Sequence, residues 1–136
     1  MAGAAQPEGS GDTASEVGID IGYQPYIPYG MGLEYIHSRV DDGSDTKDRD
    51  TVWLKGSFNF GGTATLIRDS YVGLGLGAVM LSDRTAWAAA PIAGFDIPLE
   101  RKQNQFVSVG AAARYAIVSD GEVDTFSLNG VVKYWF

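Results

Sequence analysis

From residue 15 to the end, the chain alternates apolar and polar positions with a period of two, the mark of strands with one apolar face. In 15–24, Val17, Ile19, Ile21 and Tyr23 share a face opposite Glu16, Gly18, Asp20, Gly22 and Gln24. In 29–37, Tyr29, Met31, Leu33 and Tyr35 oppose Gly30, Gly32 and Glu34. In 51–60, Val52, Leu54, Phe58 and Phe60 oppose Lys55, Ser57 and Asn59, and the alternation can be followed to Leu66. In 71–81, Val72, Leu74, Leu76, Ala78 and Met80 oppose Gly73, Gly75 and Gly77. In 86–97, Trp87, Ala89, Ala93, Phe95 and Ile97 oppose Gly94 and Asp96. In 106–117, Val107, Val109, Ala111, Ala113 and Tyr115 oppose Ser108, Gly110 and Arg114. The last segment sets Phe126, Leu128, Gly130, Val132, Tyr134 and Phe136 against Ser127, Asn129, Val131, Lys133 and Trp135. These seven segments predict an all-β antiparallel meander, with a charged loop over 38–50 and a polar turn over 98–105. Residues 1–14, small and polar with Pro7 and three glycines, read as a flexible tail ahead of a barrel over 15–136.

The polar faces are unusual in what they carry. Gly18, Gly22, Gly30, Gly32, Gly73, Gly75, Gly77, Gly94 and Gly110 all lie on them. Glycine weakens a strand, so a face washed by solvent has little use for it. A narrow barrel lumen does, because side chains from opposite walls meet there. The small, polar face therefore belongs inside and the large apolar face outside, where its solvent is lipid. The aromatics sort accordingly. Tyr23, Tyr29, Phe58, Phe60, Tyr71, Phe95, Phe106, Tyr134 and Phe136 fall at one end of their strands. Tyr35, Trp53, Trp87, Tyr115 and Phe126 fall nearer the other, with Trp53 on the lumen parity. Two belts around an aliphatic band fit the two interfaces of a bilayer.

Composition narrows this picture. The 136 residues make one domain, and no apolar run approaches a membrane helix. There is no cysteine, hence no disulfide framework and no thiolate metal site. A net charge of −7 argues against a general nucleic-acid partner. The opening MAGAA reads as an initiator methionine on a mature sequence whose signal peptide has been removed.

The alternating strands, the stretch YVGLGLGAV and the aromatic end of the last strand resemble the small outer-membrane β-barrels of Gram-negative bacteria, of the OmpX, OmpA and opacity-protein type. The resemblance covers roughly residues 15–136 and implies an eight-stranded up-and-down transmembrane barrel in the outer membrane, with short periplasmic turns and longer outside loops. It also implies that Val132, Tyr134 and Phe136 form the signal read by the barrel-assembly machinery. With Phe136 periplasmic, the 38–50, 82–85 and 118–125 connections lie outside and those near 25–28, 68–70 and 98–105 in the periplasm. Single-chain bacterial barrels have an even number of strands, so an eighth is owed. It could lie within 2–14, be missing, come from a split segment, or be replaced by parallel pairing of the first and last strands.

Candidate chemistry is sparse. Glu16, Asp20, Glu34 and Asp96 share the lumen parity with Lys55, Arg114 and Lys133, and such charges must pair when enclosed. That predicts a plugged barrel rather than an open pore. His37 and Ser38 suggest a lipid A hydrolase, but strand neighbours point to opposite faces and the chain has no second histidine. Asp41, Asp42, Asp45, Asp48 and Asp50 crowd one segment without the spacing of an EF-hand, and Arg39, Lys47 and Arg49 offset them. No cofactor or nucleotide motif is present. The expectation is a non-enzymatic, monomeric outer-membrane barrel with no metal or cofactor. Its partners would be the bilayer with its lipopolysaccharide, the assembly machinery, and a surface partner met by 38–50. A narrow channel, a lipid A-modifying hydrolase and a soluble lipocalin-like barrel are the alternatives.

Overall fold

A computed structural model describes residues 1–9, 13–26, 28–42, 45–60, 70–81, 84–102, 105–119 and 123–135. Eight strands run in chain order: β1 (Ala2–Pro7), β2 (Ala14–Tyr26), β3 (Tyr29–Asp42), β4 (Asp45–Phe60), β5 (Ser70–Met80), β6 (Thr85–Lys102), β7 (Gln105–Val118) and β8 (Thr125–Trp135). Each pairs antiparallel with its sequence neighbour, and β1 pairs antiparallel with β8, which closes the barrel. Among the described residues there is no helix.

The owed strand is β1, so the expected tail is corrected over residues 2–7. Its AGAAQP sequence has no bulky residue and a proline, so it carries no strand signal of its own. It is a strand because open ladders of β2 and β8 flank it and supply its hydrogen bonds. Pairing with β8 runs from Ala2↔Gly130 to Pro7↔Thr125, whereas pairing with β2 covers only Ala2↔Val17 to Ala5↔Ala14.

The charged segment 38–50 is also not a loop. β3 continues to Asp42 and β4 begins at Asp45, paired through Ser38↔Arg49, Arg39↔Asp48 and on to Asp42↔Asp45. Charged residues mask a strand when periodicity is read by hydropathy, because a hairpin charged on both faces has no apolar face to alternate. The polar turn over 98–105 shrinks likewise: β6 reaches Lys102 and β7 starts at Gln105, with a register shift between Pro98 and Glu100. Alternation past Phe60 toward Leu66 falls on residues 61–69, outside the described residues.

The two faces are inverted relative to a soluble protein. Ile19, Leu33, Leu54, Leu76 and Leu128 are exposed on the outer wall, and Leu74 is 70% exposed. Glu16, Glu34, Asp96, Arg114, Ser127 and Asn129 are buried within. Tyr23, Tyr29, Phe58, Phe60 and Phe95 stand outward toward one end, and Tyr35, Trp87, Tyr115 and Phe126 toward the other. Trp53 and Tyr71 leave the belts and enter the lumen. Trp53 is 1% exposed, and the Tyr71 ring sits 4.2 Å from the Lys133 ammonium. The side chains of Phe106, Tyr134 and Phe136 lie outside the described residues.

Candidate functional site: a charged and plugged lumen

Period-two geometry places the inward residues of all eight strands along one axis, and their charges meet there. Glu16 on β2 is the most connected. Its Oε1 accepts from the Ser38 and Ser127 hydroxyls at 3.2 and 3.3 Å, and its Oε2 from the Asn129 amide at 3.0 Å. The Arg114 guanidinium on β7 reaches it at 3.9 Å and donates to Glu34 Oε2 at 2.7 Å. The same guanidinium lies over the Trp53 ring, 5.1 Å from its centroid. Lys55 on β4 donates to Asp20 at 2.6 Å and stands 3.6 Å from Glu34. Lys133 on β8 donates to Asp96 on β6 at 2.7 Å.

The structure thus brings Glu16, Asp20, Glu34, Lys55 and Arg114 into one chain of contacts and pairs Asp96 with Lys133. Enclosure makes this pairing obligatory, since an uncompensated buried charge costs several kcal/mol. Among the described residues, two buried oxygens, Asp96 Oδ1 and Asn129 Oδ1, accept no hydrogen bond. Asp20, Glu34, Lys55, Tyr71, Arg114 and Asn129 contribute to a cavity of about 20 Å³, which is room for a water molecule and little more.

Along β3 to β7, toward the end marked by Tyr35 and Trp87, Ile36, Trp53, Val79, Ala86, Ala88, Ala116 and Val118 form a buried apolar cluster beside the polar contacts of Ser38 and Arg49. Glycines on facing strands make the room. A Cβ on Gly77 would lie 2.7 Å from Trp53 Cε3, and one on Gly94 would lie 2.6 Å from the Tyr71 ring. The plug therefore has an ionic part and an apolar part, and only the first was readable as charge on the lumen parity.

Arg49 is a lumen residue that sequence reasoning missed. With 38–50 read as a loop it had no parity. On the extended β4 it shares the face of Thr51 and Trp53, and its Nη1 donates to Thr125 Oγ1 at 3.1 Å. The signal available was the spacing itself, since Arg49, Thr51 and Trp53 continue the alternation backward.

His37 and Ser38 face opposite sides of the wall. The Ser38 hydroxyl donates inward to Glu16, while His37 Nδ1 lies 2.9 Å from Asp50 Oδ1 on the outer face. Tyr35 donates to the same Asp50 oxygen at 2.7 Å, and Asp48 accepts from Arg39 Nε at 3.1 Å. This builds a polar girdle on the β3–β4 hairpin, not a nucleophile with its base. Of the aspartates expected to crowd one loop, Asp48 and Asp50 are engaged in the girdle. The side chains of Asp41, Asp42 and Asp45 lie outside the described residues, and no metal-holding cluster occurs among the described ones.

Of the assembly-signal residues, Val132 points outward and is 69% exposed. The Tyr134 backbone pairs with Val107, while its side chain and all of Phe136 are outside the described residues. No protein-family model matches the chain, and no curated protein matches it.

Proposed function

We propose that this chain is a non-enzymatic outer-membrane β-barrel, plugged by its own side chains, that serves a structural or surface-interaction role. The observation that carries the reading is the inverted polarity: an ionic network inside, and a continuous apolar wall outside. Leucines, isoleucines and valines cover the middle of the outer wall, between two sets of exposed aromatics. A soluble monomer tolerates only a few hundred Å² of contiguous apolar surface. A hydrocarbon solvent removes that objection, and closure of the barrel satisfies its backbone groups within the wall.

Polarity also supports an orientation for the barrel in this reading. The β3–β4 hairpin carries Arg39, Asp48 and Asp50 beyond the aliphatic band, so in this reading it stands outside the membrane and presents a polar surface. Lipopolysaccharide around the barrel, and the assembly machinery during insertion, are the partners the reading calls for. A narrow channel is disfavoured by the apolar cluster at one end of the lumen and the small cavity at the other.

The test is folding with and without an amphiphile. The chain is expected to precipitate in plain buffer and to fold in micelles or bilayers. Bilayers of brominated lipid should then quench Trp87, which faces outward, far more than Trp53 within the lumen. A well-dispersed folded monomer in plain buffer would overturn the reading.

A further inference from the structure

The ladder between β6 and β7 is interrupted in the middle of the wall. Ala88↔Val118 and Ala89↔Ile117 are paired, and pairing resumes only at Ile92↔Arg114. On its other side β6 is paired without a break from Met80↔Thr85 to Ser70↔Phe95, through Leu74↔Pro91. Pro91 accounts for this one-sided gap. In an antiparallel ladder a residue turns its N–H and C=O to the same neighbour, and the side alternates along the strand. Pairing with β5 survives at Pro91, so its nitrogen faces β7, where proline has no hydrogen to give. The register on either side sets Pro91 opposite Tyr115. The Tyr115 carbonyl thus lacks its β6 donor, and at most one bond remains where the ladder would have two. Sheets confine proline to edges and bulges, a closed barrel has no edge, and hydrocarbon offers no replacement donor.

We infer that the wall is a lateral gate at Pro91, where β6 and β7 part locally and join the apolar cluster of the lumen to the hydrocarbon of the bilayer. The inference rests on the membrane reading above. Little but backbone holds the seam at this level. Outward, Ala89, Pro91 and Ala93 are exposed beside the half-buried Ala113. Inward, Ala90 and Ala116 are buried and belong to the cluster of Ile36, Trp53 and Val79. Small side chains on both faces give the two strands few atoms with which to grip each other. Parting here brings alanines against lipid rather than water, so it carries no hydrophobic penalty. The opening is bounded on both sides. On one, the Trp87 N–H donates to Ser119 Oγ at 3.0 Å and the Ser119 N–H to Trp87 O at 2.8 Å. On the other, Asp96 opposes Gly110, and parting there would bring the Asp96–Lys133 pair into lipid at high cost. The chemistry around the gate admits an apolar chain and excludes a charged group.

The chain contains no cysteine, so single introduced thiols report the opening. Ala90→Cys places one behind the gap. Val79→Cys places one in the same cluster, at a position paired without interruption to Thr51 and Ala86. Both proteins, folded in bilayers, are treated with pyrenyl maleimide, which partitions into lipid, or with a charged methanethiosulfonate, which stays in water. The lipid-borne reagent should modify Ala90→Cys about tenfold faster than Val79→Cys, a ratio set by about one missing hydrogen bond. The charged reagent should modify both slowly. Pro91→Ala returns the missing N–H to the Tyr115 carbonyl and should slow modification of Ala90→Cys about tenfold. Backbone hydrogen exchange without added cysteine gives an independent reading: the Tyr115 amide should exchange about tenfold faster than in Pro91→Ala. Equal rates at Ala90→Cys and Val79→Cys, or rates and exchange unchanged by Pro91→Ala, would overturn the gate. So would faster modification of Ala90→Cys by the charged reagent, since the route would then be the mouth of the lumen. All these rates are read on protein folded in bilayers, so they sink the gate alone; the membrane reading falls instead on a dispersed folded monomer in plain buffer.

Discussion

Arg114 is the residue whose removal tests the lumen most directly. It is 6% exposed, and it is the group that ties Glu34 to Glu16. At an effective dielectric of about 20, its attractions to these carboxylates, at 2.7 and 3.9 Å, are worth about 6 and about 4 kcal/mol before desolvation is subtracted. Desolvation removes much of that gain, so the informative quantity is the loss when one partner goes. Arg114→Met keeps the length of the stem and deletes the charge. It leaves Glu34 with Lys55 at 3.6 Å and Glu16 with neutral donors only. Breaking a buried pair in this way costs about 3–5 kcal/mol. Loss of the guanidinium from the Trp53 face adds about 0.5–2 kcal/mol. Deleting the matching charge as well, in Arg114→Met with Glu34→Gln, should recover part of the loss, with a coupling of about 0.5–3 kcal/mol. The assay is reversible urea unfolding in bilayers, followed by tryptophan fluorescence, for both single variants and the double variant. If Arg114→Met cost under about 1 kcal/mol, or if the double variant equalled the sum of the singles, the network would be a set of hydrated charges and not a closed plug.

Other perturbations address the walls and the ends. Leu74→Arg, on the outward face, should cost about 2–4 kcal/mol, and the cost should grow with bilayer thickness as the charge moves farther from the interface. Gly75→Arg, whose Cβ would lie 3.1 Å from Trp53 Cε3, should cost about 1–3 kcal/mol or more by overpacking, with no dependence on thickness in the same unfolding assay. Gly77→Ala should destabilise by a similar ~1–3 kcal/mol, and Trp53→Leu in the same chain should recover part of it by vacating the clash. Deleting Phe136 should reduce insertion in cells more than refolding in detergent; equal loss in both would assign the residue to packing alone.

Sequence legibility followed the strength of the alternation. β5 was read nearly whole, because YVGLGLGAVM contrasts leucine with glycine at every step and both faces declare themselves. The seven charges are given the lumen parity for the same reason: each sits within a segment whose apolar neighbours fix its parity. What was lost lay where no apolar neighbour fixes parity. β1 is alanine and glycine, and its identity as a strand resides in β2 and β8. The outer ends of β3 and β4 are charged on both faces, so their pairing is visible only in the register that Tyr29↔Phe58 begins and Asp42↔Asp45 ends. Trp53 was placed inward by parity, but its packing against Gly77 across the β4–β5 ladder needed the three-dimensional neighbour.

The ionic and the apolar contacts of the lumen lie side by side. Ile36, Trp53, Val79, Ala88 and Ala116 pack together along β3 to β7, while Glu16 gathers Ser38, Ser127 and Asn129 from β3 and β8. Arg114 joins the two, since its guanidinium donates to Glu34 and covers the Trp53 ring. Apolar packing is tolerant of small shifts, at roughly 25 cal/mol for each Å² withdrawn from water, and does not by itself fix a register. The directional contacts do: Arg114, Lys55 and Lys133 each reach a carboxylate on another strand from one position on β7, β4 and β8. A slip of one residue in any of these ladders would carry the cation to the opposite face of the wall and leave its carboxylate enclosed without a partner. The charges therefore specify which closed arrangement forms, and the aliphatic and aromatic side chains fill it.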